Sequence, residues 1–273
     1  MNERFQRRIQ RYGWDKAAPF YEAGWEKPLA PAHQELLRLA EPRLGESVID
    51  IACGTGMVTF PIADAVGPDG RVVATDLSDR MVAAVRRVAQ EDYHLQVEAF
   101  RADAESLTAI GNETFDLVTC ALGLMYCPNP LNAIREAFRA LRPGGRAVFA
   151  VWGDRRNCGW AEIFPIVDAE VQSTVCPMFF QLGAEDTLAG QMMEAGFSGV
   201  RQRRIQCTLP YKDARSAADA ALLGGPVALA YSRFESATKR RVRIAYLRSI
   251  SPYRIAEGFS IPGEYVICRG VKP

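Results

Sequence analysis

The sequence has few of the residues on which acid–base and metal chemistry usually depend. Its 273 residues include only two histidines, His33 and His94. Its seven cysteines are an odd number, are widely scattered and never stand in a C-x-x-C spacing. Such a pattern favours small buried apolar side chains over a zinc or redox site. We therefore predict no metal site, and few side chains are available as general bases.

A strong net charge and a long apolar segment are also missing. Thirty-three basic and 32 acidic residues leave a net charge of +1, so no global field attracts nucleic acid or an anionic membrane. No apolar run reaches the roughly 18 to 20 residues that span a bilayer. Residues 1–11 lack the apolar stretch of a secretory signal. We predict a cytoplasmic protein with a small-molecule partner, no nucleic acid and no membrane; acidic residues make an Arg-rich mitochondrial leader the weaker alternative.

What is present is an alternation of strands and helices. With 48% apolar residues, the chain can bury one large core. β-Branched runs near residues 48–51, 71–75, 96–101, 115–120 and 146–152 alternate with helical patterns at 57–66, 79–91 and 130–141. This order is typical of a parallel sheet with crossover helices. Residues 142–145 are predicted to form a turn, and Ser78 is predicted to cap the second helix.

The pattern divides the chain into three parts. Residues 1–43 are interpreted as an N-terminal helical lid, and residues 44–153 as a Rossmann-like core. Residues 154–273 are predicted to complete the sheet with strands near 200–209 and 264–271. Helical insertions near 154–194, including helices at 160–175 and 184–195, and near 210–260 are expected to form a cap. Composition leaves the oligomeric state open.

Three carboxylates follow three successive predicted strands. Asp50 ends the first strand just before a turn that contains Gly54 and Gly56, Asp76 ends the second, and Asp103 follows the third. The carboxyl ends of parallel strands lie along one edge of a sheet, where ligands of such folds bind. A helix cap or a local turn explains each carboxylate separately, but not their joint placement. We therefore predict a binding site at this edge.

Each carboxylate suits one part of an adenosyl ligand that carries a positive charge. Asp76 stands where a carboxylate accepts hydrogen bonds from a ribose diol. Asp103 can accept from the adenine amine while the N–H of Ala104 donates to a ring nitrogen. Asp50 can offset the charge of an ammonium or sulfonium group.

A nicotinamide dinucleotide is the rival ligand, because Asp76 also fits its ribose. The dinucleotide fingerprint G-x-G-x-x-G requires a third glycine, but counting from Gly54 and Gly56 gives Thr59. Asp50 would also repel a pyrophosphate at the end of the first strand. An NAD-dependent oxidoreductase is therefore the less favoured alternative.

Residues 48–56, which read VIDIACGTG, resemble the cofactor motif D-x-G-x-G-x-G of class I methyltransferases dependent on S-adenosylmethionine (SAM). Ala52 replaces the first glycine, a mild departure that is similar to the quinone-ring C-methyltransferase branch. Asp76 matches the ribose-binding acid of the family, and Asp103 with Ala104 its adenine-side pair. Residues 115–118 (FDLV) and 141–145 (LRPGG) resemble its fourth- and fifth-strand signatures.

The resemblance implies an α/β fold with a Rossmann-like, seven-stranded, mostly parallel sheet whose last strand is antiparallel, and with helical cap insertions. It implies SAM as the cofactor and Met125 and Tyr126 as substrate contacts. The residues expected to bind the cofactor are Tyr21, Asp50, Ala52, Gly54, Thr55, Gly56, Asp76, Leu77, Met81, Asp103, Ala104 and Ala121.

The methyl acceptor is not specified by any motif. The insertions contain many apolar and aromatic side chains, Trp160 and Phe164 among them, which favours a small hydrophobic or aromatic molecule and leaves its O, N, S or C atom open. Basic clusters at 201–204 and 239–243 are interpreted as solvated surfaces. An RNA or protein methyltransferase and a non-catalytic SAM-binding protein are the alternatives, and no catalytic residue is assigned.

Overall fold

The computed structural model describes residues 3–171, 176 and 178–273. The seven strands are β1 (Ser47–Ile51), β2 (Arg71–Asp76), β3 (Val97–Arg101), β4 (Phe115–Ala121), β5 (Leu141–Trp152), β6 (Ser198–Tyr211) and β7 (Phe259–Val271). The α-helices are α1 (Glu3–Ala40), α2 (Thr59–Val66), α3 (Asp79–Glu91), α4 (Pro130–Ala140), α5 (Ile163–Asp168), α6 (Thr187–Glu194), α7 (Ala214–Leu222), α8 (Ala228–Arg233) and α9 (Ser236–Ser249).

The strands form one sheet in the order β3-β2-β1-β4-β5-β7-β6. The pairs from β3 through β5 are parallel, whereas β7 runs antiparallel to both β5 and β6. The order reverses at β1, so the loops after β1 and β4 leave a crevice at the carboxyl edge. The predicted Rossmann-like sheet with one antiparallel last strand is confirmed.

Local sequence explains how the crevice is built. Residues Val48, Ile49 and Ile51 of β1 are almost completely buried, as a central strand covered on both faces requires. Ser78 caps α3 as predicted, since its Oγ accepts a hydrogen bond of 3.2 Å from the N–H of Met81. The turn between β2 and α3 is thereby fixed beside the glycine-containing loop.

Some predicted elements differ from the structure. Residues 142–145 are not a turn before β5, because β5 begins at Leu141, which pairs with Phe115. The pairing then shifts to Leu117 with Arg146, and Gly144 adopts a φ of 80° in the resulting bulge. The helix predicted at 160–175 is shorter, Ile163–Asp168; residues 172–175 lie outside the described residues. The last two strands are longer than predicted.

The N-terminal segment is a single helix of 38 residues, α1, despite three internal prolines. Gly24 lies where an added Cβ would come within 2.9 Å of Ala220, so glycine permits close packing of α1 on α7. Trp25 Nε1 donates to the carbonyl oxygen of Ala220 at 3.1 Å. The division into lid, core and remainder stays a prediction. No helix in the described part of the chain has both the length and the apolar character needed to cross a membrane.

Candidate active site

A cavity lies at the carboxyl edge of β1, β2, β3 and β4 and is covered by α1. Ten of the fourteen predicted site residues line it: Tyr21, Ala52, Gly54, Asp76, Leu77, Met81, Asp103, Ala104, Ala121 and Tyr126. We call this the cofactor cavity. Asp50, Thr55, Gly56 and Met125 do not line it; their roles as contacts stay predictions.

Asp76 joins the glycine-containing loop to the start of α3. Its Oδ2 accepts a hydrogen bond of 3.0 Å from the N–H of Gly54, and its Oδ1 accepts one of 2.8 Å from the N–H of Ser78. Burial raises the pKa of this carboxyl to about 6. At neutral pH Asp76 is therefore an ionised acceptor on the cavity wall, as binding of a ribose diol requires.

Asp50 lies behind the loop. Its Oδ2 accepts a hydrogen bond of 2.7 Å from Thr59 Oγ1, and its Oδ1 accepts one of 2.8 Å from Thr119 Oγ1. Burial raises its pKa to about 6, although the two hydroxyl donors oppose the shift. Asp50 therefore does not line the cavity. It can act on the cavity only through the electric field of its charge and by tying α2 to β4.

Two of the other loop residues have distinct local features. Gly56 has a φ of 98°, and a Cβ there would lie 2.4 Å from the ring of Phe60, so the turn requires glycine. Thr55 Oγ1 is buried and has no hydrogen-bond partner among the described residues. Met125 is buried in the hydrophobic core.

Helix α1 supplies residues that sequence reasoning missed. Arg7 Nε lies 2.9 Å from Asp103 Oδ2, and Arg7 Nη2 lies 2.8 Å from Glu105 Oε2. One turn further on, Gln10 also lines the cavity. Asp15 Oδ1 accepts a hydrogen bond of 2.6 Å from Ser78 Oγ. These contacts hold α1 over the end of the cavity that Asp103 lines, and no local spacing in the sequence indicates them.

A second cavity adjoins the first. Its wall is formed by Trp14, Tyr21, Trp25, Leu29, Leu122, Tyr126, Trp152, Trp160, Gly225 and Pro226. We call it the aromatic chamber. It shares Trp14, Tyr21, Leu122 and Tyr126 with the cofactor cavity. Among the described residues, no charged side chain lines it. The chamber has about 20 Å³ of open space, room for roughly one water molecule. Its uncharged wall therefore suits an apolar group that enters from the cofactor cavity and moves these side chains apart.

Among the described residues, no carboxylate and no histidine lines the aromatic chamber, and the carboxylates of the cofactor cavity are Asp76, Asp103 and Glu105. Neither histidine lines either cavity in the described part of the chain, and burial lowers the pKa of His33 to about 4. Burial raises the pKa of the Tyr21 and Tyr126 hydroxyls and of the Cys127 thiol, so these groups stay protonated. The geometry supports binding and orientation in preference to base catalysis.

The residues of the cofactor cavity fit SAM. Asp76 places a carboxylate on the wall where it could accept hydrogen bonds from a ribose diol, and Asp103 with Ala104 lines the place expected for adenine. Ala52 and Gly54 are small, so the backbone of the loop can approach a ligand closely. The buried charge of Asp50 lies behind the same loop, where it favours a cationic ligand and opposes a pyrophosphate.

Comparison with known proteins identifies the family. The sequence model of a family described as "Methyltransferase domain" matches residues 48–145. A demethylmenaquinone methyltransferase of Listeria monocytogenes is 30% identical over 183 residues, 62% of this chain and 76% of the relative. The corresponding protein of Lactococcus lactis is 36% identical over 104 residues, 38% of this chain and 41% of the relative.

A solved structure shares the fold: the YcgJ protein of Bacillus subtilis superposes with a TM-score of 0.62 at 17% identity, covering 89% of this chain and 98% of that one. The chain belongs to the class I SAM-dependent methyltransferase family. It is thus an enzyme whose cofactor is SAM, and the expectation drawn from the glycine-containing loop and its three carboxylates is confirmed.

The buried charge of Asp50 leads to a stability prediction. The pKa of its carboxyl is about 6 in the folded chain and about 4 when unfolded. Between these values the folded state binds more protons, so the free energy of unfolding falls as pH rises. Asparagine cannot ionise. We expect the stability of Asp50→Asn relative to wild type to increase by about 2 kcal/mol from pH 4 to pH 7.

Urea unfolding of the SAM-free protein at several pH values measures this difference. Asp69→Asn, in the exposed turn between α2 and β2, is the matched control for an Asp-to-Asn change. If the free energies of unfolding of Asp50→Asn and wild type differ by the same amount at every pH, burial does not disfavour the charge of Asp50.

Proposed function

We propose that this methyltransferase transfers the methyl group of SAM to an uncharged aromatic small molecule that binds against the apolar wall between the cofactor cavity and the aromatic chamber. One observation carries the proposal: the cofactor cavity continues, past Trp14, Tyr21, Leu122 and Tyr126, into a chamber with no charged side chain among its described residues. A ring that packs against this wall meets no buried charge there.

Bound SAM supplies an electrophilic methyl group on a sulfonium, which an acceptor atom attacks in line. The chain contributes orientation: Asp76 and the loop at Gly54 fix the cofactor, and Tyr126 lies on the wall that both cavities share. Helix α1 closes over the site and excludes water. Because no carboxylate or histidine is among the described residues of the aromatic chamber, we expect an acceptor whose attacking atom is nucleophilic without a base in that chamber.

Two further observations support a small acceptor. The relatives named above are demethylmenaquinone methyltransferases, whose named substrate contains an aromatic ring system. The basic clusters at 201–204 and 239–243 are partly neutralised, since Arg204 pairs with Glu264, Arg241 with Glu170 and Arg243 with Asp219. They offer less free charge to RNA than the sequence suggests. A cytoplasmic setting is part of the proposal, supported by seven free thiols.

Formation of S-adenosylhomocysteine (SAH) on a panel of acceptors tests the proposal. We expect turnover with 1,4-naphthalenediol or related phenols and at least tenfold less with a ring-sulfonated analogue, because the chamber provides no cation to pair with a buried sulfonate. The panel includes tRNA and unfolded protein. Turnover on either of these alone would overturn the proposal, and SAM binding without turnover on any acceptor would favour a non-catalytic role.

A further inference from the structure

Helix α1 is fixed to the rest of the chain in two different ways, and the change falls at Pro19. After Pro19 the helix is held by burial of apolar side chains, with Leu36 completely buried. We call residues 3–18 the N-terminal half of α1; the structure describes all of them, and only Gln10 and Ala17 are buried there. A segment that buries so little apolar surface opens locally at a lower free-energy cost than the core does.

Charged side chains hold the N-terminal half of α1 in place. Arg7 Nε lies 2.9 Å from Asp103 Oδ2, and Arg7 Nη2 lies 2.8 Å from Glu105 Oε2. One turn further along the helix, Arg11 pairs with Asp79. Water and salt compete with ion pairs that are partly exposed, so these contacts can break and re-form without uncovering a hydrophobic core.

The same half of the helix forms one wall of the cofactor cavity, because Arg7, Gln10 and Trp14 line it from one helix face. With this wall in place the cavity has about 80 Å³ of open space, whereas sites for ligands of the size of SAM usually enclose roughly 300 to 1,000 Å³. The opposite wall is built on the ends of β2, β3 and β4, which the sheet fixes. SAM therefore requires the helical wall to move before it can bind.

Pro19 provides a position for that movement. Proline has no N–H, so the helical hydrogen bond to the carbonyl oxygen of Asp15, four residues earlier, is missing, and the proline ring crowds the same turn. Long helices bend at such positions. Pro19 thus lies at the boundary between the part of α1 that is held by burial and the part that is held by ion pairs.

We propose that the N-terminal half of α1 is a gate that turns about Pro19, and that the ion pairs of Arg7 with Asp103 and Glu105 hold it closed before and after SAM enters. Arg7 is then a positioning residue, which sets how fast SAM enters and leaves and takes no part in methyl transfer. The proposal divides residues 1–43, predicted from the sequence as one lid, into a part that moves and a part that is fixed. It concerns the cofactor alone and does not depend on the acceptor.

Stopped-flow tryptophan fluorescence, to which Trp14 on the gate contributes, measures SAM binding, and displacement of SAM by excess SAH measures its dissociation. We expect Arg7→Gln to raise both rate constants about fivefold to tenfold, because the gate opens more often, with Kd changed less than about threefold. Arg7→Lys, which keeps the charge, should restore part of the difference. Arg135→Gln removes an exposed pair with Glu194 and is the matched control; it should change neither rate.

Two further measurements do not require the Arg7 variant. Raising the salt concentration from about 0.1 to 1 M should speed dissociation of SAM from wild type, since salt weakens the ion pairs that close the gate. Pro19→Ala supplies the missing N–H and stiffens the helix, so it should slow both association and dissociation about twofold or more.

Faster association in Arg7→Gln supports the gate, because a variant that merely loosened the fold would not bind SAM faster. Unchanged or slower association in this variant would overturn it and reduce Arg7 to a support of the cavity wall. Should Arg7→Gln fail to fold, wild type and Pro19→Ala decide: dissociation that does not respond to salt, or rates that the proline replacement leaves unchanged, would exclude a gate of this kind.

Discussion

Replacement of Asp76 by alanine should weaken SAM binding by about 1.5 to 3 kcal/mol, roughly a 10- to 150-fold increase in Kd. The carboxylate lines the cofactor cavity, and at neutral pH it is ionised, so its hydrogen bonds to the ribose hydroxyls are charge-assisted. Titration calorimetry with SAM measures the loss. Asp69→Ala, at an exposed turn, is the control and should leave the Kd for SAM unchanged. NADH should bind neither to wild type nor to Asp76→Ala.

Asp76 also accepts hydrogen bonds from the backbone N–H groups of Gly54 and Ser78, so alanine could weaken binding merely by loosening the loop. A ligand that lacks one ribose hydroxyl separates the two effects. We expect wild type to prefer SAH over its 2′-deoxy analogue, and Asp76→Ala to bind both equally. A preference that survives in the variant would show that another residue binds the diol.

The first half of the fold was predictable because its signals are local. Parallel strands that are buried on both faces appear as short apolar runs, and each strand end is marked by a carboxylate or a glycine within a few residues. Asp76, Asp103 and Gly54 therefore fall on the cavity wall as predicted. Asp50 also stands at a strand end, and the sequence does not distinguish it from the other two carboxylates. Its side chain, however, lies behind the loop, where it accepts hydrogen bonds from Thr59 and Thr119.

The parts that escaped prediction depend on contacts between distant residues. Arg7 reaches Glu105 across 98 positions, and nothing in the spacing of α1 indicates that pairing. The aromatic chamber combines Trp14 and Trp25 of α1 with Trp152 at the end of β5 and Trp160 beyond it. Composition suggested a hydrophobic acceptor, but only the fold shows that these four tryptophans share a wall.

The departure from the family motif at Ala52 has a structural counterpart at Gly123. Ala52 adopts a φ of 55°, a left-handed conformation that costs roughly 1 to 2 kcal/mol for a residue other than glycine. A Cβ on Gly123 would lie 2.4 Å from Ala52 Cβ and 2.9 Å from Cys120 Sγ. The methyl group of Ala52, which a glycine at this position of the motif would lack, thus occupies space that is free because Gly123 has no side chain.

Gly123→Ala should therefore destabilise the enzyme by about 1 to 3 kcal/mol through overpacking and weaken SAM binding, since both residues line the cofactor cavity. Gly123 has a φ of −99°, so alanine meets no backbone strain there. Urea unfolding and SAM titration measure the two effects. Gly190→Ala in α6, where an added Cβ has no neighbour within 4 Å, is the matched control and should be neutral or slightly stabilising.

The double variant decides whether the two positions are coupled. Ala52→Gly alone should change stability little, because relief of the left-handed strain is offset by the greater freedom of glycine in the unfolded chain. Combined with Gly123→Ala it removes the closest contact, so the double variant should recover most of the lost stability, with a coupling of about 0.5 to 3 kcal/mol. Strictly additive costs would instead place the collision at Cys120 Sγ, and Ala52 would then be only a tolerated departure from the motif.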